Sequence, residues 1–263
     1  MTQSNQDSQS PSKSQTSVDG FWRPFPDCKG ISAGISTLES GVVAWGRGPD
    51  AEVAANRIRF LEQRGLDAAR GVAADQVHGN SVHVVIPGDA ERGIREPETR
   101  IPRTDGLVTD VPGLILVTAH ADCAPVFLLD EKRRAIGLLH AGWRGILAGV
   151  IESGLAVLSS EFESSKSDVR AAIGPTISPE RYEVSRDLAD QFRERIGGEV
   201  VLERDGSPHL DLYLCIRLIL ERQGVIAGSI SDRPPCTFDS RRFSSYRRDQ
   251  DHTTGMITFF TIL

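Results

Sequence analysis

Cysteine is scarce in this chain. Its 263 residues include four (Cys28, Cys123, Cys215 and Cys236), widely spaced and without a CxxC pair. That spacing argues against a disulfide framework and leaves no compact zinc-finger pattern. A basic excess is also missing: 30 Lys and Arg stand against 36 Asp and Glu, a net charge of −6, which argues against a protein that wraps nucleic acid. No apolar run is long enough to span a bilayer. The opening "MTQSNQDSQSPSKSQTSVDG" has no apolar centre and, with one Lys, no Arg and two Asp, fits neither a secretory signal nor a transit peptide. Residues 1–20 therefore read as a disordered polar tail, and the default location is the cytoplasm. There is no glycine-rich nucleotide loop, no internal repeat and no clear interdomain linker, so residues 21–263 read as a single domain.

What is present is an alternation of strand and helix patterns. The segment "GPDAEVAANRIRFLEQRG" repeats apolar residues at helical spacing, with Asp50 as its cap and Gly65 as its stop. The runs "GVAADQVHG" and "SVHVVIP" follow as strands around a Gly-Asn turn, and "GDAERGIREPETRIPRT" reads as a charged surface loop. In the middle, "DGLVTD", "GLILVTAHADC", "PVFLLD" and "RAIGLLH" are Val-, Ile- and Leu-rich strands suited to a sheet covered on both faces. The spacing predicts helices over 143–158, 185–196 and 210–223, a strand at "DVRAAIGP" and a buried last strand at "GMITFFTIL". The sum is an α/β fold of layered α+β character: one domain with a mixed sheet and flanking helices.

Histidine is scarce too, and three of the six stand at abrupt turns in apolar sequence: His78 in "DQVHGNSV", His120 in "TAHADCAP" and His140 in "LLHAGWRG". Cys123 lies between the last two, just ahead of Pro125. Brought to one sheet edge, His78, Cys123 and His140 would make a borderline-soft donor set suited to zinc, with a fourth position left for water. From spacing alone the metal set is the weaker reading, and the same residues read first as a buried thiol and histidines that end strands on a carbonyl. His120 reads as the support of a ligand or a substitute for one. His83 alternates with apolar residues and is expected to face solvent, while His209 and His252 stand in polar loops. Cys215, inside "DLYLCIRLIL", reads as a small buried hydrophobe.

In order along the chain, "QVHG", "ADCAPV" and "HAGWRG" resemble the three signature motifs of the YfiH-like laccase-domain family. That family was formerly called multicopper polyphenol oxidoreductases and is associated with purine nucleoside phosphorylase and adenosine deaminase activities. "DGLVTD", "AAIGPTI...YEV" and "SSYRRD...TG" extend the resemblance, which runs from about Ile31 to the end of the chain. It implies Zn2+ bound by His78, Cys123 and His140. It also implies phosphorolysis of purine nucleosides (adenosine, inosine, methylthioadenosine), adenosine deamination, or both, with a nucleoside and phosphate as small-molecule partners. A multicopper site is disfavoured, because six histidines are too few and no axial-Met pattern accompanies the cysteine.

Arg144, at the start of the predicted 143–158 helix, is a candidate for gripping phosphate, and Arg247 with Arg248 in "SSYRRD" is a second candidate cradle. Gln76, two residues before His78, is a candidate for contact with substrate or a metal-bound water. Asp122, beside Cys123, is a candidate for orienting a histidine. Asp105 reads as part of an Asp-Gly turn, and Trp143 as packing over the site or stacking on a base. Two other functions fit the same residues: an amide or peptide hydrolase using zinc or a Cys123 nucleophile, and a non-catalytic, metal-stabilised binding protein. The chain departs from the family pattern at Leu38 and Glu39, where "STR-GG" would place Arg and Gly, at Met256, where Arg is usual, and at Arg181, where Cys is frequent. The two missing arginines are expected to weaken a phosphate-dependent step more than zinc binding.

Overall fold

The computed structural model describes residues 22–263, so the tail assigned to residues 1–20 lies outside the described residues. In chain order the elements are β1 (Ile31–Ile35), α1 (Asp50–Glu62), β2 (Gly71–Ala73), β3 (Val82–Val84), β4 (Gly106–Thr109), β5 (Ile115–His120), β6 (Ala124–Asp130), β7 (Ala135–Ala141), α2 (Trp143–Ala148), α3 (Val150–Phe162), β8 (Val169–Ile173), α4 (Arg186–Arg195), β9 (Val201–Arg204), β10 (Ser207–Leu210), α5 (Leu212–Arg222), α6 (Tyr246–Asp249) and β11 (Met256–Ile262).

The strands form two mixed sheets rather than one. The first has the order β1-β11-β5-β2 and the second β3-β4-β7-β6-β8, with β9 and β10 as a separate hairpin. The β2–β5 and β3–β4 pairs are parallel and the other ladders antiparallel. Strand alternation explains the two sheets: residues at odd and even positions feed different cores. In β6, Phe127 and Leu129 enter the layer between the sheets, where Phe127 meets Phe260 of β11 at a centroid distance of 5.5 Å. Val126 and Leu128 enter the opposite layer with Ile151, Leu155 and Leu158 of α3 and Ile216, Ile219 and Leu220 of α5. On the far side of the first sheet, Phe60 and Leu61 of α1 pack on Ile257 and Phe259. The order is helix, sheet, sheet, helices, so β4, β6, β7 and β11 are buried at every residue and read as nearly continuous apolar runs, whereas β3 and β9 have no fully buried residue.

The expected helices are present, with local differences. Pro49, not Asp50, occupies the N-cap position of α1, without a side-chain cap. The predicted 143–158 helix is broken at Gly149, whose φ of 92° is left-handed and separates a six-residue α2 from α3. "GVAADQVHG" gives only the three-residue β2 before the chain leaves the sheet. His83 does not simply face solvent: its Nε2 lies 2.9 Å from an Asp89 carboxylate oxygen. His209 sits on β10 and contacts the Pro179 carbonyl through Nδ1 at 2.7 Å. Among the described residues, no helix is long and apolar enough to cross a membrane.

Candidate metal centre and cleft

Two crossings between the sheets and one strand end build the centre. The chain leaves the first sheet after β2 and enters the second at β3, and His78 lies on that passage with a left-handed φ of 60°. It crosses again between β5 and β6 through Ala121, Asp122 and Cys123. His140 is the penultimate residue of β7, in register with Pro125 of β6. These paths bring one ligand atom each of His78, Cys123 and His140 within 4.8 Å of one another, the one such group of three among the described residues. The His78 and His140 rings are 4.8 Å apart, nearly edge to face.

Asp105 holds the group together, a role its Asp-Gly turn did not disclose. It is fully buried, and its carboxylate accepts the backbone N–H groups of Val77 (3.1 Å), His78 (2.9 Å) and Gly79 (2.7 Å). The same carboxylate lies 2.9 Å from Nδ1 of His140. This pins the His78 loop and turns the other ring nitrogen of His140 towards Cys123. Burial pushes the Asp105 carboxyl up, but the hydrogen bonds from His140 and the backbone outweigh it and hold the acid below its usual range. Burial likewise pushes the Cys123 thiol up, yet the His140 charge and hydrogen bonds from His140 and His78 bring it down to about 6. Against its own burial, His140 is raised to about 9 by the Cys123 thiolate and Asp105.

The donor chemistry fits a thiophilic divalent ion. Two imidazoles and an acidified thiol converge, and the space between them is kept open by Gly142. A Cβ there would lie 2.6 Å from Cys123 Sγ and 3.2 Å from His78 Cδ2. His120 is not part of the donor set. It is buried, with Nε2 on Thr118 Oγ1 (2.8 Å) and Nδ1 on the Cys123 carbonyl (3.2 Å), and burial followed by the His140 charge pushes its pKa well down. It therefore supports Cys123 through the backbone.

The centre opens into a cleft of ≈ 700 Å³. Of the residues singled out from sequence, Gln76, His78, His120, Asp122, Cys123, His140, Trp143, Arg144 and Arg247 line it. Several have other work. Gln76 pairs its amide with both backbone groups of Ala119 at 2.7 Å, prolonging the β2–β5 ladder through a side chain. Asp122 orients no histidine: its oxygens accept Thr237 Oγ1 (2.5 Å) and the Arg247 N–H (2.6 Å), which ties α6 to the Cys123 turn. Arg144 lies on the Trp143 ring at 4.4 Å, and α2 is too short to supply the helix-terminus field expected of the 143–158 helix. Arg247 stacks on Tyr182 and donates to the Arg181 and Glu183 carbonyls.

Arg248 is not in the cradle at all. Its guanidinium donates to the carbonyls of Thr237, Phe238, Ser240 and Phe243 and to Asp249, and it is absent from the cleft lining. Leu38, Glu39 and Met256 do not line the cleft either, and Met256 is fully buried between the sheets. Three arginines that the sequence reading passed over, Arg47, Arg57 and Arg100, do line it, together with Trp45 and Tyr246.

A family model described as "Multi-copper polyphenol oxidoreductase laccase" matches residues 30–263. The chain belongs to this family. A relative from Geobacillus stearothermophilus, named Purine nucleoside phosphorylase YlmD, is 32% identical over 252 residues, covering 89% of this chain and 91% of its own. One from Deinococcus radiodurans, named Purine nucleoside phosphorylase, is 38% identical over 205 residues, 78% and 75% of the two chains. The fold matches the crystal structure of Bacillus licheniformis hypothetical protein YfiH with a TM-score of 0.88 at 28% identity, covering 94% of this chain and 97% of that one.

Proposed function

We propose that this family member is a zinc-dependent purine nucleoside enzyme, which performs phosphorolysis of adenosine, inosine or methylthioadenosine, deamination of adenosine, or both. The observation that carries this reading is that one cleft is lined by the His78–Cys123–His140 donor set, by aromatic rings suited to a purine and by arginines suited to an anion. The names of the relatives support the nucleoside class.

In phosphorolysis the bond from the ribose C1′ to the purine nitrogen breaks and a phosphate oxygen bonds to C1′. The chain must hold an anion beside a centre of growing positive charge and a base that gathers negative charge. Trp45, Trp143 and Tyr246 offer stacking faces for the base. Arg144 and Arg247 are cations facing the same space. Burial pushes the Tyr182 hydroxyl up, so at neutral pH it donates rather than carries charge. A zinc ion held by His78, Cys123 and His140 would supply Lewis-acid polarisation and acidify a water molecule. His120 and Asp105 keep that donor set in place whichever bond is broken.

The test is metal content by mass spectrometry beside turnover of adenosine, inosine and 5′-methylthioadenosine, with and without phosphate, in the wild type and Cys123→Ala. About one zinc per chain, lost with turnover in the variant, is expected. Phosphate dependence then separates phosphorolysis from deamination. No metal, or no turnover of any of the three, overturns the reading.

A second reading has its own support: His140, bonded to Asp105, faces a thiol of depressed pKa, an arrangement that also serves a cysteine nucleophile in amide hydrolysis. It requires activity that survives chelators and is lost in Cys123→Ser.

A further inference from the structure

We infer that the cleft holds a phosphate dianion on the Arg57–Arg100 pair, with Arg47 beside it. This deepens the nucleoside reading and rests on it for the reaction served, though not for the binding itself.

Arg57, on α1, is 2% exposed. Its Nε donates to the Val43 carbonyl (2.8 Å) and its Nη1 to the Gly93 carbonyl (2.9 Å). The indole of Trp45 lies 4.8 Å beneath the guanidinium and donates to the same Gly93 carbonyl at 3.0 Å. All these partners are neutral. A full charge has been taken from water with no carboxylate to answer it, an arrangement that is costly unless a counter-charge arrives. Its neighbour adds to the imbalance. Arg100 packs against Gly93, where a Cβ would meet its Cγ at 2.5 Å, and its charge, after burial, further disfavours a cationic Arg57.

The local charges do not cancel. Arg100 is paired with Asp75 at 3.0 Å, and among the described residues Arg47 has no ion pair and lies over the Tyr246 ring at 5.7 Å. Three guanidiniums thus face the cleft with one carboxylate among their partners. Asp75 is not among the residues that line the cleft, and the one carboxylate that does, Asp122, is already bonded at both oxygens. Arg144 and Arg47 differ from Arg57 in being exposed, so their charges stay in water. Arg57 is held rigidly by two carbonyls and a ring, and Nη2, free of any hydrogen bond among the described residues, completes a fork suited to two oxygens of one anion.

The shared ligand chemistry is a phosphate dianion, either free phosphate as co-substrate or the 5′-phosphate of a nucleotide. Calorimetric titration of the metal-loaded protein in a phosphate-free buffer, with inorganic phosphate and separately with adenosine 5′-monophosphate, distinguishes them. The variants are Arg100→Gln and Arg57→Lys, with thermal unfolding as the check on folding. Because Arg57 is buried, Arg100→Gln decides the matter should Arg57→Lys fail to fold. Loss of one charge-assisted contact should weaken binding about tenfold or more in Arg100→Gln and raise the KM for phosphate more than that for adenosine. Free phosphate as occupant requires wild-type binding of phosphate that Arg100→Gln loses. A nucleotide as occupant requires tighter binding of the monophosphate than of adenosine, an advantage the variant abolishes. Either outcome supports the site. Equal binding of both probes by wild type and Arg100→Gln, or binding of neither by the wild type, overturns it. Arginine-dependent phosphate binding without turnover of any nucleoside sustains this site while removing the nucleoside reading.

Discussion

Asp105 grips His140 twice: its carboxylate lies 2.9 Å from the ring Nδ1, and its backbone carbonyl accepts the His140 N–H at 2.7 Å. Since the same carboxylate also receives three backbone N–H groups from the His78 loop, one buried acid fixes two of the three candidate metal donors. Replacing it with Asn turns one acceptor into a donor that faces other donors. Asp105→Asn is expected to lower zinc affinity about 10–100-fold and to destabilise the fold by about 2–4 kcal/mol. Chelator competition and urea denaturation measure the two effects. Wild-type affinity in the variant would remove Asp105 from this role.

Gly142 has an ordinary φ of −88°, so its value is space and not backbone freedom. In Gly142→Ala the new methyl would stand 2.6 Å from Cys123 Sγ. The expected result is loss of metal and turnover at a modest stability cost of about 1–3 kcal/mol, read by metal content and thermal unfolding. Full metal occupancy would show that the thiol yields without leaving the donor set.

Metal-free protein carries a thiolate–imidazolium pair. The Cys123 pKa, held at about 6 against burial by His140 and His78, lies below the ordinary 9.0. Its contribution to stability is therefore present above 9.0 and lost as pH falls through about 6. The His140 pKa, raised to about 9, gives a contribution complete below 6.5 and lost as pH rises through about 9. Stability of the metal-free form should be greatest between those values. Alkylation of Cys123 by iodoacetamide in chelator-treated protein, followed by peptide mass spectrometry, should show a midpoint near pH 6, whereas Cys28, its thiol pushed up chiefly by burial, should react only at higher pH. A Cys123 midpoint above about 8 would contradict the pair.

Arg248 binds four backbone carbonyls and Asp249 around the approach to α6. Arg248→Ala should cost about 2–4 kcal/mol of stability by stranding those acceptors, with the KM for phosphate unchanged in the folded fraction. A raised KM at unchanged stability would restore the phosphate role that the "YRR" motif suggested.

The sequence exposed the donors more clearly than what surrounds them. His78, Cys123 and His140 each interrupt an apolar run, and such interruptions are visible in one dimension. The layered α/β class was equally legible in the Val-, Ile- and Leu-rich runs, but not that they divide between two sheets, because a strand buried on both faces looks alike in either arrangement. Asp105 was hidden by its glycine neighbour, since an Asp-Gly pair is ordinary turn chemistry and its partners lie up to 35 residues away. Arg57 falls on the buried stripe of α1, four residues after Val53 and four before Leu61, a stripe on which charged residues are not expected. Arg247 and Arg248 are adjacent in sequence yet do different things, one lining the cleft and one bracing a loop, and only tertiary contacts tell them apart.

The three donors come from passages that join or end different sheets: His78 and Cys123 from the crossings, His140 from the second sheet itself. A metal held there is a rivet through both layers of the sandwich. Sliding one layer over the other by a single residue, about 3.3 Å, is comparable with the 4.8 Å span of the donor atoms and would tear the coordination apart. A cobalt ion substituted at the centre would thus serve as a strain gauge for the whole sandwich, its visible spectrum registering a shear between sheets before either sheet had lost a hydrogen bond.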